Sequence, residues 1–365
     1  MFGLLKTTAG RAGPAAAAPQ LGGAAPNIAL ALAAREQASA RAMFGELHGS
    51  VLPPWAMCGS SPAAKDDLGD LPAHCTQSLA LARNSNCPSD RWLDLVSPII
   101  AEPNMVMINI GANKGYNVNS FLRRFQRGWS TTNAAWSAQL FAQKQFAQNN
   151  LTSRCGVCSA CRVEVQLRYG RANVYVVAVE MAQSNSRNLQ HLFEHFKVPG
   201  DVIHAAGGEQ SGVAYEQPNI TAGHEGSGIS TRGIKIPMVT VDQIVEERKL
   251  ESIDLLSIDT EGHDAPVLRG ATTTLKKRLA KVVEFEYHCV GAWASEKLDH
   301  IISMMRRNRY TCFWQSVKGE LSPFFPECAA AYEFRQWSNV VCATHPKVVM
   351  AFNMLVPERL QAAMA

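Results

Sequence analysis

The densest group of reactive side chains in the sequence is Ile258-Asp259-Thr260-Glu261-Gly262-His263-Asp264. It crowds three carboxylates and an imidazole into one short segment. Such groups take and return protons, and crowding tunes their proton affinities for that work. Asp264 also has a simpler use, because Asp ahead of Ala265-Pro266 makes a good helix N-cap. Asp259 has no such structural use and is expected to be functional. A second group is Asn109-Ile110-Gly111-Ala112-Asn113-Lys114-Gly115. Its glycines let a backbone turn sharply and approach a ligand closely. The amides of a helix starting there favour a polar or anionic group. A tight turn needs glycines for steric reasons too, so this spacing alone is not decisive. Third comes Glu180, which ends the apolar run Val174–Val179. That is where a nucleoside-binding sheet places a carboxylate to accept ribose hydroxyls. Such an acid usually follows the glycine turn by about 20 residues; the larger gap here implies an insertion.

These residues need elements to hold them, and the hydrophobic pattern supplies candidates. Met105–Ile110, Val174–Val179, Ile253–Ile258 and Lys281–Tyr287 are short apolar runs of the kind a buried parallel strand requires. Val202–Ala206 and Lys235–Val241 are further strand candidates, with Tyr310–Gln315 and Asn339–Ala343 closing the sheet. Between them, Tyr116–Gln126, Ser184–Phe196, Asp242–Lys249, Ala265–Leu279 and Glu296–Arg307 carry apolar residues at helical spacing. Glu284 and Glu286 alternate along one strand and should face the same side. Strands alternating with helices imply a doubly wound, mostly parallel sheet with its ligand crevice at the carboxyl ends of the strands.

The chain has 365 residues with a formal charge of +4, is 47% hydrophobic and 18% charged, and has 10 cysteines. That apolar content excludes wholesale disorder, and so slight a basic excess argues against a nucleic-acid partner. No run of apolar residues is long enough to span a bilayer. Residues 1–88 read as low-complexity, disordered or targeting sequence. The segment between Arg11 and Arg35 is uncharged and Ala-rich, which suits an organellar transit peptide except for its shortage of serines. A soluble protein of a secretory lumen or an organelle fits these features.

INIGANKGY, VYVVAVE, VIHAAGGEQSGVAYE, MVTVDQI, IDLLSIDTEGHDAPVLRGA and VVEFEYH, in that order, resemble the FkbM-type methyltransferases over about residues 101–345. The resemblance implies a Rossmann-like class I methyltransferase fold with a seven-stranded sheet and S-adenosylmethionine as cofactor. The expected reaction is O-methylation of a hydroxyl on a glycan, lipid or secondary metabolite. It places Asn109, Gly111, Ala112, Asn113 and Gly115 under the methionine part of the cofactor and Glu180 on the ribose diol. Asp259 falls beside the methionine amine and the acceptor, with Glu261 next to it; residues 204–212 border the adenine. The catalytic base is expected among Asp259, Glu261 and His263, with Glu286 and His288 as further candidates. The catalytic domain would span 89–348, with an insertion over about 128–171 after the first helix and a tail from 349 to 365.

Two departures stand out. The family's first motif usually opens with Asp, whereas Asn109 lacks the charge that would pair with the cofactor's ammonium; a charge-assisted hydrogen bond is about twice as strong as a neutral one. The insertion carries Cys155, Cys158 and Cys161, which suit disulfides to Cys58, Cys75 or Cys87, a zinc site, or free thiols. The sequons at Asn150 and Asn219 are compatible with a secretory route. No catalytic metal is expected: the carboxylates could hold a divalent ion, but nothing in their spacing requires one. Two other readings stay open: a non-catalytic binding protein on a methyltransferase fold, which Asn109 favours, and a nicotinamide-dependent oxidoreductase, which the missing G-x-G-x-x-G spacing disfavours.

Overall fold

A computed structural model describes residues 71–364, apart from 84, 86, 144–154, 157, 159, 161–169, 219, 221, 226 and 227. Residues 1–70, including the expected targeting segment, lie outside the described residues; everything below belongs to the unit Pro53–Ala365. The sequons at Asn150 and Asn219 and the thiol of Cys161 also lie outside them.

The central sheet has eight strands. They are β1 (Asn104–Ile110), β2 (Asn173–Glu180), β3 (Gly200–His204), β7 (Ile253–Ile258), β8 (Ala280–Tyr287), β9 (Thr311–Gln315), β10 (Leu321–Pro323) and β11 (Ser338–Ala343). They lie in the order β10-β9-β11-β8-β7-β1-β2-β3. The pairings β3-β2-β1-β7-β8 are parallel, whereas β11 runs antiparallel to both β8 and β9. The expected seven strands are therefore corrected to eight. The addition is the three-residue β10, antiparallel to β9, which is too short to show an apolar period. A separate three-stranded sheet joins β4 (Ala206–Gly207), β6 (Ile234–Val239) and β5 (Gly212–Glu216). Val202–Ala206, expected as one strand, is split between the two sheets at Ala205.

Period-two alternation divides the core into two layers. Met105, Met107, Val174, Val176 and Leu255 face one cluster, which α2 (Arg91–Ile100), α3 (Tyr116–Phe125), α4 (Asn133–Phe141) and α5 (Gln183–Phe196) cover. Ile108, Ile110, Val177, Leu256 and Ile258 face the other, covered by α1 (Ala73–Ala82), α6 (Val241–Glu247), α7 (Asp264–Arg269), α8 (Thr272–Lys276) and α9 (Leu298–Arg307). The helix expected over 265–279 is two helices, because the chain turns at Gly270. A Cβ there would lie 2.0 Å from the Gly208 carbonyl oxygen.

Helical structure extends on both sides of the 89–348 span. Ahead of it, α1 is tied down by Cys75–Cys328. Beyond it, α10 (Pro346–Asn353) and α11 (Glu358–Met364) bury Phe352 and Leu360 in the first core layer. Cys87–Cys158 ties the segment after α4 to the segment ahead of α2, and Cys312–Cys342 joins directly opposed residues of β9 and β11. Cys155 is disulfide-bonded as well, so the zinc reading does not hold: thiols consumed in disulfides offer no thiolate. Closing long loops lowers the entropy of the unfolded chain. No helix among the described residues is long and apolar enough to cross a membrane.

Candidate active site

The sheet reverses its direction of growth between β1 and β7, and both strands end at the site. Beyond β1, the Gly111 and Ala112 amides donate to the Val179 carbonyl, while the Asp259 amide donates to the Ile110 carbonyl. The three strand ends are thereby laced together. Gly111 has φ +85°, and a Cβ on it would stand 1.7 Å from the Asp259 carbonyl oxygen. Gly115, at φ +74°, packs where a Cβ would meet Leu189 and Trp136. Both glycines are therefore required by packing.

Glu180 is buried, and its carboxylate is held from two sides. The Asn113 amide donates to Oε2 and the Ala182 amide to Oε1, both at 2.8 Å. Burial pushes its pKa up to about 7, against the pull of these two donors. Asn185 extends the support, donating to Asn113 Oδ1 and accepting from the Gly223 amide. The Lys114 ammonium is buried too; it donates to the Gly223 carbonyl and pairs with Glu225 at 2.7 Å. These bonds fix the 223–225 segment over the glycine turn.

On the far side of Gly111 the polar groups are of one sign. Burial and the neighbouring Glu286 and Asp264 carboxylates raise the pKa of Asp259 well above the usual carboxylate range. Burial, Glu261 and Asp264 do the same to Glu286, which is hydrogen-bonded to Asp259 and accepts from the Trp337 indole at 2.9 Å. Asp264 is fully buried. It accepts the Thr260 hydroxyl and the Glu286 amide, so it braces the loop against β8 as well as heading α7. Glu261 itself sits at φ 52°, a left-handed conformation costly for a residue with a Cβ. Gly262 follows at φ +100°, with no room for a Cβ against the Val290 carbonyl.

Two cavities meet here. The smaller, about 40 Å³, is lined by Glu180, Met181, Asn185, Ala205–Gly207 and His263 among others. The larger, about 460 Å³, is lined by Asp259, Glu284, Glu286 and Trp337, and by the disulfide-bonded Cys87 and Cys158. Gly111, Asn113 and Glu261 belong to both. Gly111, Glu180 and Asp259 thus share no single cavity, but they flank one junction. Glu284 and Glu286 both line the larger cavity, as their alternation implies.

Other expected residues are placed less directly. Ala112 and Gly115 line the larger cavity rather than the smaller, and His263 lines only the smaller. Asn109 lines neither. Its register neighbours are Ser257 on β7 and Ala178 on β2, it is buried, and its Oδ1 has no hydrogen-bond partner among the described residues. Sequence reading assigned no role to Lys114, Met181, Asn185 or Glu225. Lys114 stands inside the glycine motif and was visible; the others are brought in by helix and loop geometry that no spacing announces.

A sequence profile of the methyltransferase FkbM domain matches residues 109–312. Among solved structures, the chain is similar to methyltransferase FkbM from Methylobacillus flagellatus KT, at 13% identity and a TM-score of 0.34. That match covers 66% of this chain and 44% of the other, so the chain spans less than half the length of that structure. No curated protein matches the sequence.

Proposed function

The chain belongs to the FkbM methyltransferase family, and from that premise we propose that it is an S-adenosylmethionine-dependent O-methyltransferase. The observation that carries the reading is the junction of two unlike cavities at Gly111, one led by a doubly hydrogen-bonded carboxylate and the other by a cluster of acids. The residues fit the cofactor. Gly111 leaves the turn without a Cβ, Glu180 keeps lone pairs for a ribose diol beyond the two amides it accepts, and Met181, Ala205 and Ala206 give an apolar border for adenine. When bound, S-adenosylmethionine supplies an electrophilic methyl group.

The protein's part is alignment and proton removal. Holding an acceptor in the larger cavity, in line with the junction, can supply roughly 7–11 kcal/mol of the barrier. A hydroxyl must shed its proton as it is methylated, and a positioned base adds about 10²–10⁴-fold. Asp259, whose carboxyl is hydrogen-bonded to Glu286, is the group we assign to receive that proton. It receives the proton in its ionised form, which the positive charge of a bound sulfonium would favour over the protonated form that burial and the Glu286 hydrogen bond favour in the free protein. Glu261, at the junction itself, orients the acceptor hydroxyl. His263 lies on the cofactor side and is not assigned as the base. The acceptor class that the family resemblance implies is a hydroxylated glycan, lipid or secondary metabolite, and the carboxylates lining the larger cavity offer acceptors for its hydroxyls. The disulfides support residence in an oxidising compartment.

Incubation with methyl-labelled S-adenosylmethionine and pools of polyhydroxylated acceptors tests the reading. Label is expected on acceptor oxygen. Label on nitrogen or carbon, or none with any acceptor while the cofactor binds, would overturn it.

A further inference from the structure

We propose that Glu261, Glu286 and His288 form a divalent-cation site that opens on the larger cavity and takes a hydroxyl of the acceptor as a further ligand. One ligand atom from each residue lies within 4.8 Å of the others. His288 supplies the decisive observation: its side chain is fully buried, and neither Nδ1 nor Nε2 has a hydrogen-bond partner among the described residues. A buried imidazole without a partner forfeits the water it left behind, which native proteins rarely tolerate. Its Nε2 stands 3.6 Å from Glu286 Oε2. That is too far for a hydrogen bond. It is the separation expected of two ligands on one ion: atoms about 2.1 Å from a shared metal lie roughly 3.0 Å apart at right angles and roughly 4.2 Å apart in line. Small side-chain rotations cover the remainder.

The fold explains why these three meet. Glu286 and His288 project to one side at the end of β8, two residues apart. Glu261 comes from the loop after β7, the neighbouring strand, and the left-handed conformation at Glu261 sets the direction in which that loop leaves. Two carboxylates and a neutral imidazole balance the charge of a divalent ion. The mixed oxygen and nitrogen set suits Mn²⁺ or a close first-row neighbour better than Ca²⁺, which prefers oxygen alone. Three ligands leave positions open in an octahedral shell for water or acceptor hydroxyls. An ion there lowers the pKa of a bound hydroxyl and fixes its direction, leaving Asp259 to receive the proton. That role in turnover rests on the methyltransferase reading; the site itself does not.

The test titrates Mn²⁺ into the chelator-treated full-length chain without cofactor, following free Mn²⁺ by electron paramagnetic resonance. One ion per chain is expected for the wild type, with affinity at least tenfold weaker in both Glu261→Gln and His288→Gln. Glu261 lies on a partly exposed loop, so its variant decides the matter should His288→Gln fail to fold. Absence of stoichiometric binding by the wild type, or undiminished binding by Glu261→Gln, would overturn the proposal. S-adenosylmethionine titrated into the same samples separates the two ideas. A chain that binds cofactor but no Mn²⁺ loses the cation site alone, and one that binds Mn²⁺ but no cofactor keeps the site and loses the methyltransferase reading.

Discussion

Glu180 and Glu286 are both buried glutamates at the carboxyl end of the same sheet, yet their surroundings are opposite. Glu180 is met by two backbone amides and supported by Asn185 through Asn113. Glu286 is met by other acids, with one indole donor to relieve it. The first arrangement is finished before any ligand arrives and suits a group that every turnover presents in the same way. The second is complete only when a proton or a cation enters, which suits a place where charge changes during reaction. Gly111, between them, belongs to both cavities.

The contrast can be broken at either end. The largest expected effect is on the acidic side: Asp259→Asn keeps the shape of the side chain but cannot accept the acceptor proton, so turnover should fall by about 10²–10⁴-fold. Cofactor affinity, measured separately by calorimetry, should stay within a few-fold; equal loss of both would make Asp259 a cofactor contact and nothing more. Next comes Glu180→Gln. It removes a charged acceptor worth about 1.5–3 kcal/mol and sets an amide donor against a backbone N–H. Cofactor affinity should drop by roughly 10–150-fold, with a lowered melting temperature.

A third prediction concerns pH in the wild type. With Glu180 titrating near pH 7 in the free protein, the ionised form that accepts ribose hydroxyls is scarce at pH 6 and dominant at pH 8. Affinity should therefore rise about tenfold between those values, with a proton released on binding that calorimetry in buffers of different ionisation heat would register. The same shift has a sign for folding. A buried acid whose pKa is raised from 4.5 to about 7 holds its proton more tightly folded than unfolded. Its contribution to stability is thus present at low pH and lost as pH climbs from about 4.5 through 7.

The smallest effect on binding is expected from Asn109→Asp. Asn109 touches neither cavity, so restoring the family's usual acid should leave cofactor affinity within about twofold. A lower melting temperature should accompany it, because the new carboxylate is buried without a partner. A gain of tenfold or more in affinity would show that position 109 reaches the cofactor after all.

The two halves of the site also differed in how far the sequence revealed them. The glycine turn, Glu180 and the Asp259–Asp264 loop were legible because each ends an apolar strand, and strand ends in a parallel sheet converge on one crevice. The alternation of Glu284 and Glu286 gave their common face for the same reason. What stayed hidden depends on non-local packing. The unsatisfied His288 is visible only once its surroundings are known, and the Lys114–Glu225 pair spans 111 residues of sequence. Asn109, a motif position read as a cofactor contact, is buried on β1 and lines neither cavity. Among the cysteines, spacing suggested a cluster, whereas Cys75 found Cys328 at the other end of the domain.

The central claim is that S-adenosylmethionine binds across the junction at Gly111, with its ribose on Glu180. Isothermal titration of the cofactor into the wild type and into a cooperatively melting Glu180→Gln variant addresses it most directly. One molecule bound per wild-type chain, with affinity lowered at least tenfold in the variant, is the predicted result. No binding by the wild type, or equal binding by the two proteins, would contradict it.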